Sequence, residues 1–474
     1  MKNIIHISDK KITTRGGLIP ILKHIKACGI PQIIRSCVKR RPFWSTYTNE
    51  DIFIGLAMNV FCGKSRISQI ENIRSKISII PGLKIGSHDA IGRALKNLAT
   101  KNTIVESFSH KTQLLIKAMV NYNEPLNRML IKSTKRLGLL KSGKSYTLDM
   151  DATFVSTRCR DAKRHKKNKK LGFSPMVCLI ENIPVHVSLR NGNSGAALNL
   201  KNDTEICLRL LEENNIKVGR YRSDAAGYKK ELLTFLDEKN IKYVVRMPLN
   251  KYYKTLVNKI KECENWKRTI IETTDMIWDC EITSIPYIMH DTTMKGRVVC
   301  LKVPDLETIK KQNSKEEEQR RLSIDKKMTE LNEKGLLNTE GKTFDDAWVN
   351  LDGYNYKLIY TNDFEASNEA LIYEYNARGG AERCFEYLKQ DCGWKYPPFS
   401  EMAENNVYLI VSALAYNIFL SALMNFNKYV KGLNRKSRLP KFIDLVVEVA
   451  CYIINDNTFE FYPNDEKIDF GKFC

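Results

Sequence analysis

The sequence lacks several patterns that assign proteins to common classes. Its 13 cysteines are an odd number and contain no C-x-x-C pair, which excludes a disulfide framework and a zinc ribbon. Its 7 histidines contain no H-E-x-x-H spacing, which excludes that zinc-enzyme motif. The segment that begins at Met1 has no apolar core or cleavage site typical of a signal peptide. We therefore expect reduced thiols and a cytoplasmic location.

Acidic residues are in short supply relative to basic ones. The 474-residue chain has 76 Lys and Arg against 54 Asp and Glu, a net charge of +22. Such a surplus favours a polyanionic partner, because each neutralised phosphate releases bound counterions. DNA, RNA and an anionic membrane surface all fit that balance. Apolar residues make up 43% of the chain, which predicts a globular protein with a sizeable core.

Long apolar runs are scarce, and the one exception covers residues 407–426 (VYLIVSALAYNIFLSALMNF). This run is long enough to span a bilayer. It contains Ser412, Asn417 and Ser421, and no second run resembles it. A helix that is apolar on all sides also occupies the centre of many large soluble proteins. We therefore predict a buried helix and no membrane partner.

The order of the predicted elements divides the chain into four parts. Residues 1–140 predict a helical N-terminal region with no long alternating strands, which we expect to bind DNA. Residues 141–250 predict three strands followed by helix, strand, helix and strand, an α/β order with a mixed sheet that matches the ribonuclease-H-like fold. Residues 251–350 predict a β-rich insertion with a charged helix or arm. Residues 351–474 predict the second part of the α/β core whose first part is residues 141–250, together with C-terminal helices.

Three acidic residues lie where phosphodiester chemistry would need them. Asp151 lies in the predicted strand TLDMDAT, Asp224 ends the strand GRYRSD, and Glu382 lies in the predicted helix YNARGGAERCFEYLKQ. Cleavage with two Mg²⁺ ions needs hard oxygen ligands that hold the metals about 4 Å apart. An all-carboxylate site suits Mg²⁺, with Mn²⁺ as a substitute. An aspartate at a strand end is also a common cap or turn residue, so each acid has a structural alternative.

Two of these acids have neighbouring rivals. Asp149 and Asp151 share a face of one strand, because residues two apart point the same way. Glu386 lies about 40° from Glu382 around a helix. The residue pattern alone leaves both choices open.

The segment around Glu382 carries a wider pattern, Y-x2-R-x3-E-x6-K, formed by Tyr375, Arg378, Glu382 and Lys389. A continuous helix would place these four side chains within one arc of about 60°. That face would hold one carboxylate for a metal beside two cations and a phenol that can bind phosphate oxygens. An ordinary solvated amphipathic helix is the structural alternative. The pair Gly379-Gly380 predicts a bend inside the segment.

Two short segments combine the positive charge with other features. Residues 39–44 (KRRPFW) are basic and aromatic, as a DNA-contacting edge can be, although a solvated loop fits them equally well. Residues 158–170 (RCRDAKRHKKNKK) contain eight Lys or Arg against one Asp. This second run predicts either a contact with the DNA backbone or a solvated loop.

Taken together, these motifs resemble those of bacterial insertion-sequence DDE transposases with a Tyr-Arg-Glu-Lys signature. The resemblance includes D-A-T at Asp151, R-S-D-A-A-G-Y around Asp224, and R-N-G-N from Arg190 to Asn193. It covers most of residues 145–425 and, more weakly, the helical N-terminus. The family pattern has Ser-Gly after the second aspartate, where this chain has Ala-Ala. That departure affects the fine positioning of the second aspartate.

The resemblance implies a function and a set of roles. Asp151, Asp224 and Glu382 would bind metal, while Tyr375, Arg378 and Lys389 would contact transposon-end DNA near the cut. The enzyme would hydrolyse DNA at the transposon ends and transfer the freed 3′-hydroxyl into target DNA, acting as a homodimer that pairs two ends. Relatives release the element through a DNA hairpin, which is only an expectation here. Two alternatives are a nuclease of the same fold that never joins strands and a non-catalytic DNA-binding descendant.

Overall fold

The computed structural model describes residues 10–109, 114–166, 168–249, 251–272, 277–304, 326 and 348–462. The charged stretch predicted at residues 307–334 lies outside the described residues, apart from Lys326.

Helices dominate the N-terminal part, as predicted. After the short strand β1 (Ile12–Thr13) come α1 (Leu18–Ala27), α2 (Ile30–Cys37), α3 (Asn49–Phe61), α4 (Glu71–Ile77) and α5 (His88–Lys96). Helix α3 begins with a reciprocal cap: the Asp51 N–H donates to the Thr48 hydroxyl at 3.2 Å, and the Thr48 N–H donates to the Asp51 carboxylate at 2.9 Å. Such a cap satisfies N–H groups that have no partner within the helix. It also fixes the end of the basic and aromatic segment that precedes α3.

A β-hairpin interrupts this helical region. Strands β2 (Thr103–Ser109) and β3 (Leu114–Asn121) are antiparallel, and β3 pairs with the main sheet through Val120 and Arg190. The prediction of no long strands before residue 140 is therefore wrong here. No Gly or Pro marks a turn between these strands, so the hairpin has no local turn signal. Pairing with the sheet edge stabilises it instead.

The central part of the chain supplies the α/β core. It contains α6 (Glu124–Arg136), β4 (Ser145–Ala152), β5 (Val155–Ser156), β6 (Lys163–Arg164), β7 (Leu171–Phe173), β8 (Met176–Ile180), β9 (Ile183–Arg190), α7 (Leu200–Glu212), β10 (Lys217–Ser223), α8 (Lys230–Glu238) and β11 (Lys242–Arg246). The five longer strands lie in the order β9-β8-β4-β10-β11. Strand β8 is antiparallel to both neighbours, whereas β4, β10 and β11 run parallel. This is the ribonuclease-H-like order that the sequence predicts.

The two faces of β4 have different environments. Tyr146, Leu148 and Met150 belong to the hydrophobic cluster that also contains apolar residues of α7 and α8. The alternate positions, occupied by Thr147, Asp149 and Asp151, point to the opposite face of the sheet. One strand thus supplies both a core wall and a row of polar groups.

The rest of the chain extends this sheet and covers it. It contains α9 (Lys251–Lys261), β12 (Lys267–Glu272), β13 (Ile277–Ile288), β14 (Lys295–Pro304), β15 (Val349–Leu351), β16 (Tyr354–Thr361), α10 (Asn368–Asn376), α11 (Gly380–Gln390), α12 (Met402–Phe426), α13 (Leu439–Phe442), a π-helical turn (Ile443–Val447), β17 (Ala450–Ile453) and β18 (Phe459–Tyr462). Strand β16 pairs with both β11 and β14. The described strands β12, β13 and β14 of the predicted β-rich insertion therefore extend the main sheet.

Helix α12 contains the apolar run, and it packs against α3, α6 and β9. Among the described residues it is a helix long and apolar enough to cross a membrane, and 89% of its most apolar stretch is buried inside the protein. Its polar residues have partners within the fold: Asn417 donates to Thr134 Oγ1 at 2.8 Å, and the Ser421 hydroxyl donates to Leu137 O at 2.7 Å. These bonds are what a buried core helix requires.

Candidate active site

The two candidate aspartates emerge at the same edge of the sheet. Asp151 lies near the end of β4, and Asp224 directly follows the parallel strand β10. Met150 and Ser223 are paired in the register of these strands, so the next positions along the two strands are Asp151 and Asp224. Neighbouring strands lie about 4.8 Å apart. Parallel pairing therefore brings the two acids together, as the sequence predicts.

Asp224 also caps a turn. Its Oδ1 accepts the Ala226 N–H at 2.9 Å, at the start of a 3₁₀ turn over Ala225–Gly227. Its Oδ2 has no hydrogen-bond partner within the described part of the chain. The capping role considered as an alternative is thus present, and it leaves one carboxylate oxygen for a ligand.

Asp151 has a more strained electrostatic environment. Its Oδ1 accepts the Ala152 N–H at 2.8 Å, and its Oδ2 lies 2.5 Å from Nη1 of Arg378. Burial, with the negative charges of Asp224 and Glu382, raises the pKa of Asp151 to about 6, although Arg378 opposes the shift. Negative charges raise the pKa of a carboxyl group in this way when they lie near it. The structure therefore brings the third acid near the other two.

The helical segment that carries Glu382 is interrupted where the pair Gly379-Gly380 predicts a bend. Helix α10 ends at Asn376, a 3₁₀ turn covers Ala377–Gly379, and α11 begins at Gly380. A Cβ atom on Gly380 would lie 2.3 Å from the side chain of Asn182, in the turn between β8 and β9. This glycine therefore lets the helix start approach the sheet closely. Glu382 occupies the first turn of α11 and is exposed.

The three other residues of the pattern lie at different depths. Tyr375 is 4% exposed, and burial raises its pKa, although the nearby Arg378 opposes the shift. The Lys357 ammonium lies 4.7 Å from the centre of the Tyr375 ring. Lys389 is half-buried, which lowers its pKa. Arg378 thus reaches Asp151 directly, while Tyr375 supports Arg378 from the core. The DNA contacts predicted for Tyr375, Arg378 and Lys389 stay predictions.

The two rival acids occupy other environments. Asp149 is 1% exposed, and both of its oxygens bind Arg222, at 2.5 and 2.6 Å. Glu386 is exposed and accepts from Gln390 at 3.1 Å, with Arg438 at 3.6 Å. This geometry favours Asp151 and Glu382 over their neighbours.

The chemistry of the three side chains fits a hard divalent cation, because carboxylate oxygens are the ligands that such ions prefer. Their spacing does not form a ready metal cage: within the described ranges, no three His, Cys, Asp or Glu side chains lie close enough to hold a metal ion. Arg378 already neutralises Asp151. A cation and Arg378 therefore compete for the same oxygen, and binding would require the guanidinium to move.

The basic run of residues 158–170 lies beside this edge of the sheet. The run contains β6, which pairs with β7. Strand β7 also pairs with β5, and β5 begins four residues after Asp151. Arg160 binds Glu401 at 2.6 Å, and Asp161 accepts the Met402 N–H at 2.9 Å. Both contacts attach the basic run to the start of α12. The run is thus a hairpin anchored to the core, with exposed Lys and Arg side chains.

A comparison with known protein families decides the identity. Residues 5–308 match the family described as transposase DDE domain group 1, about two thirds of the chain. The chain belongs to this family. The matched residues of the transposase include Asp151 and Asp224 and end before Glu382.

Two further comparisons add little to this assignment. The transposase is similar to a solved structure described as a piggyBac transposase synaptic complex with hairpin DNA, with 14% identity, a TM-score of 0.42, and coverage of 93% of this chain and 82% of that chain. That likeness is too distant to carry an argument about function. A search of curated proteins returned no match.

Two arginines near the site have roles that the sequence did not predict. Arg222 fixes Asp149 and also donates to the Glu374 backbone oxygen, which ties β10 to α10. Arg190 is fully buried and donates to the backbone oxygens of Ser174 and Leu198, at 3.1 and 2.8 Å. Both arginines lie in quoted motifs, R-S-D and R-N-G-N. Arg222 could have been found from the alternation along β10, because residues two apart share a face and Arg222 therefore points the same way as Asp224.

Proposed function

We propose that this transposase cuts DNA at the ends of a mobile element and joins the freed 3′ ends to target DNA, with Asp151, Asp224 and Glu382 as its catalytic acids. One observation carries the proposal: two aspartates leave adjacent parallel strands at one edge, and the charges of Asp224 and Glu382 act on Asp151. A carboxyl group whose pKa is raised by burial and by neighbouring acids is a common feature of catalytic centres.

The proposed chemistry has two balanced steps. In the first, water attacks the phosphorus at the element end, the bond from phosphorus to the 3′ oxygen breaks, and a 3′-hydroxyl and a 5′-phosphate result. In the second, that hydroxyl attacks a phosphorus of the target and displaces the target 3′ oxygen. One phosphodiester bond is lost and one forms in the second step, so it needs no external energy source.

The residues of the chain have distinct tasks in this scheme. Asp151, Asp224 and Glu382 would hold two Mg²⁺ ions, with Mn²⁺ as a substitute, and bound metal would supply Lewis-acid stabilisation of the attacking and leaving oxygens. Arg378 holds Asp151 in place before DNA arrives and is free to bind a phosphate oxygen once it is displaced. Tyr375 supports Arg378 from the core, and we propose that Lys389 contacts the DNA.

The partners follow from the charge and the reaction. A net charge of +22 supports duplex DNA as the ligand, both at the terminal repeats and at the target. Pairing of two ends requires two active sites, so we propose a homodimer on DNA. The free thiols of the described cysteines support a cytoplasmic location.

The test uses the full chain and a plasmid that carries the gene with its native flanking DNA. Wild type with Mg²⁺ should yield excised element and joined product, whereas Asp151→Asn, Asp224→Asn and Glu382→Gln should yield neither. Glu386→Gln, one helical turn from Glu382, is the matched control and should keep activity. Cleavage without any joined product would replace the proposal by a nuclease. Full activity of Asp151→Asn would remove the proposed active site.

A further inference from the structure

Glu374 connects the helix that precedes Arg378 to the two strands that lead to the aspartates. One oxygen of its carboxylate accepts from the Thr147 hydroxyl of β4 at 3.4 Å, and the other binds the Arg220 guanidinium of β10. Its backbone oxygen accepts from Arg222, also on β10. The side chain of Glu374 is only 15% exposed. One residue of α10 is therefore bound to both strands of the candidate site.

Helix α10 has other attachments to the sheet. The helix is capped at its start by Ser367. Glu369 in the first turn binds Lys267 of β12 at 2.7 Å. The apolar side chains of the helix belong to a hydrophobic cluster with residues of β13, β14 and β16: Leu371, Ile372 and Tyr375. Glu374 adds a separate attachment at the end of the helix that leads to Arg378.

Arg378 follows Glu374 by about one helical turn and contacts the same face of β4. Residues four apart on a helix lie on one side of it. Glu374 contacts Thr147, and Arg378 binds Asp151, four residues further along the strand and on the same face. The chain therefore leads along β4 towards the acidic edge, from the Glu374 attachment to the Arg378 contact.

A second fixed point follows Arg378. At Gly380 the start of α11 approaches the Asn182 side chain so closely that a Cβ atom on this glycine would clash with it. Glu382 lies beyond this point, in the first turn of α11. The 3₁₀ turn that carries Arg378 is thus held between Glu374 and Gly380. A change at Glu374 reaches Arg378 before it reaches Glu382.

We propose that Glu374 is a positioning residue, which holds the Arg378 guanidinium on Asp151. Because Arg378 and a cation compete for one oxygen of Asp151, this hold raises the cation concentration that the free protein needs. It also keeps the guanidinium within reach of the phosphate at the cut. The inference rests on the proposed function in taking the acidic edge as the metal site. It adds a residue outside the Tyr-Arg-Glu-Lys pattern and gives that residue a task.

The first measurement is Mg²⁺ binding to the full chain without DNA, from the rise of the melting temperature with Mg²⁺ concentration. Glu374→Gln should bind Mg²⁺ about fivefold more tightly, because one weakened ion pair is worth roughly that factor. Loss of a negative charge weakens cation binding, so the loss of charge itself cannot produce this result. The matched control is Glu369→Gln, which removes another ion pair of α10 and should bind Mg²⁺ no more tightly than wild type does.

A double variant tests whether Glu374 acts through Arg378. Arg378→Gln should also tighten Mg²⁺ binding, because it frees the same oxygen of Asp151. Glu374→Gln/Arg378→Gln should bind Mg²⁺ no more tightly than Arg378→Gln alone, since both residues act on one contact. Effects that multiply in the double variant would overturn the inference.

DNA cleavage provides the second measurement. In single-turnover cutting at saturating Mg²⁺ and DNA, Glu374→Gln should be roughly tenfold slower, because small misplacements of a group at the reacting phosphate are costly. Glu369→Gln should cut as wild type does. A purely structural role of Glu374 would weaken Mg²⁺ binding and cutting together, whereas positioning of Arg378 changes them in opposite directions.

The same melting curves show whether each variant folds. If Glu374→Gln does not fold, Thr147→Val removes one partner of the Glu374 carboxylate without a change of charge, and it should tighten Mg²⁺ binding about twofold. Unchanged or weaker Mg²⁺ binding by the folded variant would overturn the inference. Tighter Mg²⁺ binding in Glu374→Gln, with a wild type that never cuts DNA, would remove only the catalytic proposal. Cutting by wild type, with unchanged Mg²⁺ binding in Glu374→Gln, would remove only this one.

Discussion

Two arginine–aspartate pairs lie two residues apart on the same face of β4, and they differ in almost every physical respect. Asp149 is fully buried, and Arg222 binds both of its oxygens. Asp151 lies at the strand end, where Arg378 binds one oxygen and two further carboxylates act on it. The same residue types thus form a buried pair with no other charge at one position and a pair surrounded by further acids at the next.

The difference teaches that the surrounding charge separates the two roles better than residue type. A buried pair whose hydrogen bonds are complete has nothing left to offer a ligand, and breaking it is costly. A buried carboxylate with two like charges nearby is destabilised in the free protein. It therefore gains from any cation that enters the site. Three measurements would break or sharpen this contrast.

The largest expected effect is on stability. Asp149→Asn should lower the free energy of unfolding by about 3–5 kcal/mol, because it leaves the Arg222 charge buried and uncompensated. Asp151→Asn should show no such loss. Urea denaturation of both variants at pH 7 measures the difference. Equal unfolding midpoints for the two variants would show that the pairs are equivalent.

The next effect is the pH dependence of Asp151. Its pKa is raised from 3.8 to about 6, so the folded state binds this proton more tightly than the unfolded state does. The resulting stabilisation is fully present below about pH 3.8 and is lost as the pH rises through about 6. Relative to Asp151→Asn, wild type should lose roughly 2–3 kcal/mol of unfolding free energy across that window. A difference that is flat, or that grows with pH, would contradict the assignment of the shifted group.

The smallest effect concerns divalent cations. Mg²⁺ at about ten times its dissociation constant should stabilise wild type by about 1.4 kcal/mol if it binds the folded state alone. Glu386→Gln should keep this gain, while Asp151→Asn and Glu382→Gln should lose most of it. Thermal unfolding with and without Mg²⁺ provides the measurement. Stabilisation that persists in Asp151→Asn would mean that the cation binds elsewhere.

The sequence predicts the core of the fold well because its signals there are local. Strand alternation, turn residues and helical runs predict the order of β4, β8, β9, β10 and β11 with their helices. Residues 103–121 lack a turn signal, and their strands depend on pairing with β9. The continuity of β14 with β16 likewise depends on distant partners. Local patterns contain no information about such pairings.

The candidate site shows the same limit. Position at a strand end predicts Asp151 and Asp224, but alternation gives Asp149 and Asp151 the same face. Arg222, 73 residues further along the chain, makes the difference by occupying Asp149. The helical arc predicted for Tyr375 and Lys389 holds only in part, because the 3₁₀ turn before Gly380 changes the angle between them.

The position of α12 late in the chain has a consequence for synthesis on the ribosome. The apolar faces of α3, α6 and β9 are covered by a helix that begins at Met402, long after those elements have been translated. Until that helix emerges, the nascent chain exposes surfaces that favour aggregation. A product that stops short of it should therefore be an insoluble fragment that chaperones and proteases remove. Truncated copies of the gene would then yield no DNA-binding competitor of the full-length enzyme.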